Sequence, residues 1–468
     1  MRKKIELPEV EEVKLPHILG MRPGLYISIL FVICILLIFF ALFMLPGILS
    51  DSTFISFDIK GSNIAIYEDG SYLGSSEGSV YRSSAGIHDY EFYYNDYKVG
   101  EERVKNPKHI FFTLFHRSVN EITPELSADA NAKAAMKAEF VKDAEAWTKV
   151  YTHSDSYNIP PIFTSFAENI VLFGIDDFDE ELIYGIMHIT SKEFYDDYLN
   201  AIEYLKRNNI NFDDLAYINT LDALYNGNGI SEKKDADKNS YKAAISNGLA
   251  YIESYENISI GRDIISESYP ETNYYPITAN TDSFAIALRT VTEYEYALFA
   301  EENPKWAKSN LDNLISEGLA DSDYLSGITL TTAYQSMKPI RNISYYAALA
   351  YCDWLSEKSG KHFALPSEDE WYVAAKTANN TYSKSLMTIS SNSSSPISML
   401  GGVWEFTRDE YIPLKRVFGN DYSSPYDIDD IIIKGGSYID SNIDIESIGV
   451  IDRAKTSEYV GFRVALYE

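Results

Sequence analysis

The longest uniform stretch in the chain is LYISILFVICILLIFFALFMLPGIL, running uncharged from Leu25 to Leu49. At about 25 residues it exceeds the roughly 20 that a helix needs to cross the hydrocarbon core of a bilayer. The pattern then switches to alternation, in FISFDI, NIAIYEDG and HDYEFYYNDYKV, with Asp69-Gly70 and Ala85-Gly86 as turn dipeptides. That period of two predicts a small antiparallel β module over 53–115. Beyond Thr123-Pro124 the pattern becomes helical. An Ala-, Lys- and Glu-rich segment predicts a helix or stalk over 125–150, and apolar Leu182, Ile186, Tyr195, Leu199, Ile202 and Leu205 predict one over 179–208. A third helix is expected over 240–255, which makes 124–260 a helical region; 159–174 reads as a possible early strand of the last domain.

From Ser283 onward short segments follow one another closely. SFAIALRTVT reads as a strand and EYEYALFAEENPKW as a helix. Ser344 to Ser359 forms an amphipathic helix burying Ala347, Ala350, Tyr351, Trp354 and Leu355, closed by Gly360. Ser367 then caps a further helix, with Glu370 three residues on completing a capping box before Trp371. The sum is an α+β chain with a single transmembrane helix, a small antiparallel β module, a helical middle and a C-terminal domain over 268–468.

Charge orients the apolar span. Arg2, Lys3, Lys4, Lys14 and Arg22 precede it and Asp51 follows, so 1–24 is expected to be a cytoplasmic tail, 25–49 the membrane helix, and the bulk periplasmic or extracellular. A cleaved signal peptide is the alternative; the apolar run is long for one and no small-x-small cleavage site follows. Across 468 residues, 46% hydrophobic and 14% aromatic content argue for folded domains despite a formal charge of -29. The acidic balance disfavours nucleic acid as a partner. Cys34 and Cys352, the only cysteines, form no disulfide framework, since Cys34 lies in the apolar span.

Two resemblances add to this. Ile66-Tyr67-Glu68-Asp69-Gly70, Tyr72-Leu73-Gly74 and Ala85-Gly86-Ile87-His88 give 53–115 a likeness to a PEGA-type surface domain, a module associated with envelope attachment or binding. In the last domain AYCDWL, LPSEDEW, GGVWEFT, KGGSY and GFRVA occur in that order, which resembles the formylglycine-generating enzyme, or sulfatase-modifying factor, family. That likeness implies a C-type-lectin-like α+β fold with short strands and long loops. Gly435 and Gly436 are expected to allow a tight turn, and Arg463 to support the core by charge-assisted bonding.

The family's oxidase chemistry uses a cysteine pair after the KGGSY-like motif, as thiolate ligands for copper. Here Asp440 stands at the first position and Ile445 near the second, so no copper site is expected. Cys352 lies on the AYCDWL helix, where a buried small hydrophobe is expected. The related iron enzymes need a histidine-rich motif. His17, His88, His109, His116, His153, His188 and His362 are scattered, without a ligand set. The family's calcium loop maps onto Ser398, Gly401, Val403 and Glu405, with Gly401 and Val403 offering carbonyls and Glu405 a carboxylate; calcium is the expected cofactor there. The alternative reading puts Trp404 in the core and pairs Glu405 with a base such as Arg408 or Arg453. Asp235, Asp237 and Asn239 have the opening spacing of another calcium loop, but Ser240 and Ser246 replace its glycine and glutamate, so a solvated loop is expected.

These readings suggest a single-pass membrane protein of the cell envelope whose last domain is a noncatalytic binding or scaffold module for a protein or glycan ligand. Its polar loops at 379–395 and 419–430 suit recognition. An oxidoreductase of the same family with an atypical active site is the alternative, and a structural spacer a third.

Overall fold

The computed structural model of the chain describes residues 16–59, 64–76, 80–115, 118–148, 160–213, 215–226, 239–260, 263–264, 277–378, 381–386, 396, 399–418, 422–441 and 443–468. Two compact units arise, Met1–Glu139 with Ser165–Asp176, and Phe140–Thr164 with Asp177–Glu468.

In the first unit the apolar run forms a helix over Pro23–Phe43, with proline in its first turn, where no intrahelical donor is lost. Its 21 residues make it long and apolar enough to cross a membrane, a test that a signal sequence near the N-terminus also passes. Pro46 starts a separate short helix, Leu45–Leu49, so the expected span of 25–49 breaks at Met44. Seven strands follow: β1 Ser52–Phe57, β2 Ile64–Glu68, β3 Ser71–Ser75, β4 Tyr81–Ser84, β5 Gly86–Tyr94, β6 Tyr97–Asn106 and β7 Val119–Ile122. They form an antiparallel sheet of order β3-β2-β5-β6 and a second sheet of order β4-β1-β7. The second departs from the expected all-antiparallel module, because β1 and β7 run parallel. Phe57 closes edge-on to Tyr90 and Phe92 in the core of this module.

In the second unit the expected 179–208 helix is two helices, Asp179–Ile186 and Lys192–Arg207. Ser191 interrupts them by capping the second, its hydroxyl accepting from the Phe194 N–H. The first of them packs on the last domain: Tyr184 and Met187 share a buried cluster with Ile412 and Ile428, and the Leu414 N–H donates to the Met187 carbonyl at 2.9 Å.

The region expected as a helix at 240–255 is instead a β-hairpin, β8 Ala243–Ser246 and β9 Leu249–Ile252, followed by β10 Tyr255–Ile260. Asn247 and Gly248 take the two positive φ values (52° and 78°) of a two-residue hairpin turn. The 159–174 segment is in turn a helix, Ile162–Phe173, with Phe163, Phe166, Ala167 and Ile170 buried at helical spacing. The remaining strands are β11 Asp263–Ile264, β12 Ile277–Thr281, β13 Phe284–Ala287, β14 His362–Ala364, β15 Trp404–Glu410, β16 Asp430–Lys434, β17 Ser447–Asp452, β18 Val460–Phe462 and β19 Ala465–Tyr467. Two five-stranded sheets result, of order β14-β19-β13-β9-β8 and β11-β17-β16-β15-β18, beside the pair β10-β12. The domain therefore takes in strands from 243 onward, earlier than the expected start at 268.

The Tyr345–Ser359 helix is capped by Ser344 and ends at Gly360 with φ 69°. It lays Tyr345 against Phe406 and Tyr351 against Phe462. The Glu368–Thr377 helix carries the expected Ser367/Glu370 capping box and buries Trp371 completely.

Candidate functional site

Glu405 points from β15 into the interior, with none of its surface exposed. The parallel pairing of β15 with β18 sets Glu405 opposite Gly461, two residues before Arg463. Arg463 is equally buried and grips both carboxylate oxygens, Nε to Oε2 at 3.0 Å and Nη2 to Oε1 at 2.8 Å. The Trp371 indole donates to Oε2 at 2.9 Å, and Arg463 Nη1 donates to the Ala287 carbonyl at 2.8 Å. Two charges out of water need this degree of hydrogen bonding to be tolerated. The acidic residue expected as a calcium ligand is thus committed to a guanidinium, next to which a cation would be repelled, so Glu405 does not fit that role. Its partner is Arg463; Arg408 pairs with Glu370 and Arg453 with Glu410.

The other residues of the expected calcium loop have structural contacts. Gly401 and Gly402 take φ of 75° and 76°. The Gly401 N–H donates to the Gly435 carbonyl at 2.7 Å, the Tyr438 N–H donates to the Gly402 carbonyl at 3.0 Å, and Val403 is buried. Ser398 lies outside the described residues, as do Asp235, Asp237, His116, His153 and most of the 379–395 loop. Among the described residues no group of three or more His, Cys, Asp or Glu side chains is placed to hold a metal.

The GGSY loop is thereby stitched to the Gly401-Gly402 turn. Gly435 (φ 98°) and Gly436 (φ 75°) make the turn after β16, and the Tyr382 hydroxyl donates to the Ser437 carbonyl at 2.7 Å. Asp440 then folds the loop back on itself. Its Oδ2 accepts from the Ser437 N–H and hydroxyl, both at 2.7 Å, and from the Trp404 indole at 2.9 Å. Asp444 does the same for the next turn, accepting from the N–H groups of Glu446 and Ser447, both at 2.9 Å. Ile445 packs against the core. The Cys352 thiol is buried, and burial pushes its pKa well above the ordinary thiol range, which keeps it from acting as a thiolate.

Sequence reasoning missed a mixed-charge cavity of about 350 Å³ beside the Glu368–Thr377 helix, lined in part by Glu368, Asp369, Asp409, Lys415 and Arg416. Arg416 reaches Glu368 Oε2 at 3.1 Å and Asp369 Oδ1 at 2.7 Å, and Asp409 accepts from the Glu368 N–H. The acidic run 368–370 carried a signal, but a helix first turn explains such a run equally well. Burial pushes the Asp369 carboxyl up to about 6, Arg416 opposing the rise and Glu368 and Asp409 adding to it. Because this exceeds the ordinary carboxylate value of about 4, the unfolded chain loses the proton first, and stability falls as pH rises between the two values. Asp369→Asn is expected to flatten that fall, gaining about 2 kcal/mol relative to the parent between pH 4 and pH 7.5. Calorimetry at both pH values checks it; an unchanged difference would remove Asp369 as the source.

A second recess, larger and open, lies along the β14-β19-β13-β9-β8 sheet. Its volume is about 990 Å³, and Lys242, Tyr251, Tyr255, Phe284, His362 and Tyr467 line it.

Residues 257–395 match the family described as the sulfatase-modifying factor enzyme 1-like domain. The C-terminal part carries a sulfatase-modifying factor enzyme 1-like domain. A relative from Borreliella burgdorferi, described as an uncharacterized protein, is 23% identical over 423 residues, 79% of this chain and 80% of its own length. Among solved structures, PvdO from Pseudomonas aeruginosa is 18% identical with a TM-score of 0.36, covering 50% of this chain and 100% of its own. CarF is 14% identical with a TM-score of 0.32, covering 47% and 98%. The matched residues take in AYCDWL and LPSEDEW.

Proposed function

We propose that this protein is a membrane-anchored component of the cell envelope whose sulfatase-modifying-factor-like domain binds a protein or glycan ligand without catalysing oxidation. The observation that carries this reading is Asp440. At the position that the resemblance gives to the family's first cysteine, its Oδ2 accepts three hydrogen bonds from its own fold, and a carboxylate is a hard oxygen ligand in place of a soft thiolate. The open recess with Tyr251, Tyr255, Tyr467 and His362 supports ligand binding, since aromatic walls with scattered polar groups suit recognition. The Pro23–Phe43 helix is read as a retained anchor, with the N-terminus in the cytoplasm and the folded units outside. Supporting this, the Phe43 ring sits 5.0 Å from Phe112 and 5.3 Å from Phe115, so the helix end is part of the folded module.

The test is oxidation of a cysteine-containing sulfatase-motif peptide by the full chain in detergent with Cu(I) supplied, read by mass. No formylglycine beside an active family enzyme is expected. Turnover at even a few per cent of that control would overturn the noncatalytic reading.

A further inference from the structure

The segment between β6 and β7 contains Lys108, His109, Ile110, Phe111, Phe112, Thr113, Leu114 and Phe115. Five of these are large apolar side chains, and all five are exposed, from 37% for Ile110 to 66% for Phe115. Contiguous apolar surface of this kind marks an interaction site. Its position says with what. The Phe112 N–H donates to the Phe43 carbonyl at 2.8 Å, at the last turn of the apolar helix. Gly47 lies so close that a Cβ there would stand 2.3 Å from the Ile110 carbonyl oxygen. Phe43 packs on Phe39 (ring centroids 4.5 Å apart) and on Phe112 and Phe115 (5.0 and 5.3 Å), so the exposed apolar side chains of the helix, among them Leu36, Leu37, Ile38 and Leu42, adjoin exposed Phe111, Leu114 and Phe115. At the margin of this surface Lys108 Nζ donates to Asp51 at 2.6 Å and to the Ile48 carbonyl at 3.2 Å.

We infer that the 110–115 segment inserts into the same bilayer leaflet from which the Pro23–Phe43 helix emerges, seating the β module on the membrane through a second, non-helical contact. This rests on the reading of that helix as a retained anchor. The partner is the boundary between headgroups and acyl chains, where aromatic side chains partition favourably and a lysine is held at the polar level. Lipid is favoured over a protein partner because the patch continues a surface whose length and composition already suit acyl chains.

The experiment uses the full chain in phosphatidylcholine vesicles, with Cys34→Ser removing the exposed thiol and Cys352 left buried in the core. A nitroxide is attached after Phe111→Cys or Leu114→Cys, after Leu36→Cys within the helix, and after Tyr72→Cys on the exposed tip of the β2–β3 hairpin. Collision with oxygen reports lipid, and collision with a water-soluble nickel chelate reports solvent. Labels at 111 and 114 are expected to show an oxygen-to-chelate ratio several-fold above that at 72 and close to that at 36. Labels at 111 and 114 that match 72 while 36 stays in lipid overturn the second contact and leave the anchor standing. Exclusion of both reagents at 111 and 114 overturns it in favour of a protein partner or a second copy. Chelate access at 36 overturns the anchor reading and this inference with it.

Discussion

Arg463→Met is expected to destabilise the sulfatase-modifying-factor-like domain by about 3–5 kcal/mol, the usual cost of leaving one member of a buried ion pair uncompensated. Glu405 has no exposed surface, and its carboxylate accepts two hydrogen bonds from Arg463 and one from the Trp371 indole. With the guanidinium gone, the carboxylate must either remain charged in the interior or take up a proton. Adding Glu405→Gln to Arg463→Met removes the stranded charge and keeps an oxygen for the Trp371 indole, so the double variant is expected to recover a large part of the loss. Calorimetry or urea unfolding of the two variants separates these effects. A single-variant loss below about 1 kcal/mol would mean that the pair is dispensable to the fold.

Gly435→Ala is the next largest expected effect, about 2–4 kcal/mol, because two costs add. Its φ of 98° lies outside the range L side chains favour. A Cβ there would also fall 2.6 Å from the Met399 carbonyl oxygen and 2.9 Å from Trp371. Gly402 is the matched control, since it has a φ of 76° and nothing within 4 Å of the added atom. Gly402→Ala is expected to cost only about 1 kcal/mol, the conformational part alone. Equal losses in the two variants would show that the close approach of Trp371 and Met399 contributes nothing.

What the sequence made legible was local. The Ser367/Glu370 capping box and the Gly360 helix end are written within four residues, so reading them requires no knowledge of the fold. The Asn247-Gly248 hairpin is equally local, yet the alanines around it favoured a helical reading; pairing with β13 through Ala285 and Ile286 decides otherwise. The 159–174 run is a helix because its buried positions recur every three or four residues. The partner of Glu405 was not legible, because Arg463 is brought to it by a strand register, whereas Arg408 and Arg453 looked as available in the sequence. The carboxylate cavity was hidden for the same reason: Asp409 and Arg416 meet Glu368 and Asp369 only after β15 and the Glu368–Thr377 helix have packed.

The order of strands also bears on how the protein reaches its native state. β13 takes β9 on one side, close in sequence, and β19 on the other, about 180 positions later, so half of its pairing waits on the closure of a very long loop. β11 and β17 are separated by a similar distance. Such topology folds slowly, and during that interval β11 and β13 present unpaired edges to any neighbouring chain. A polypeptide of this design depends on its surroundings to shield those edges until the late strands arrive.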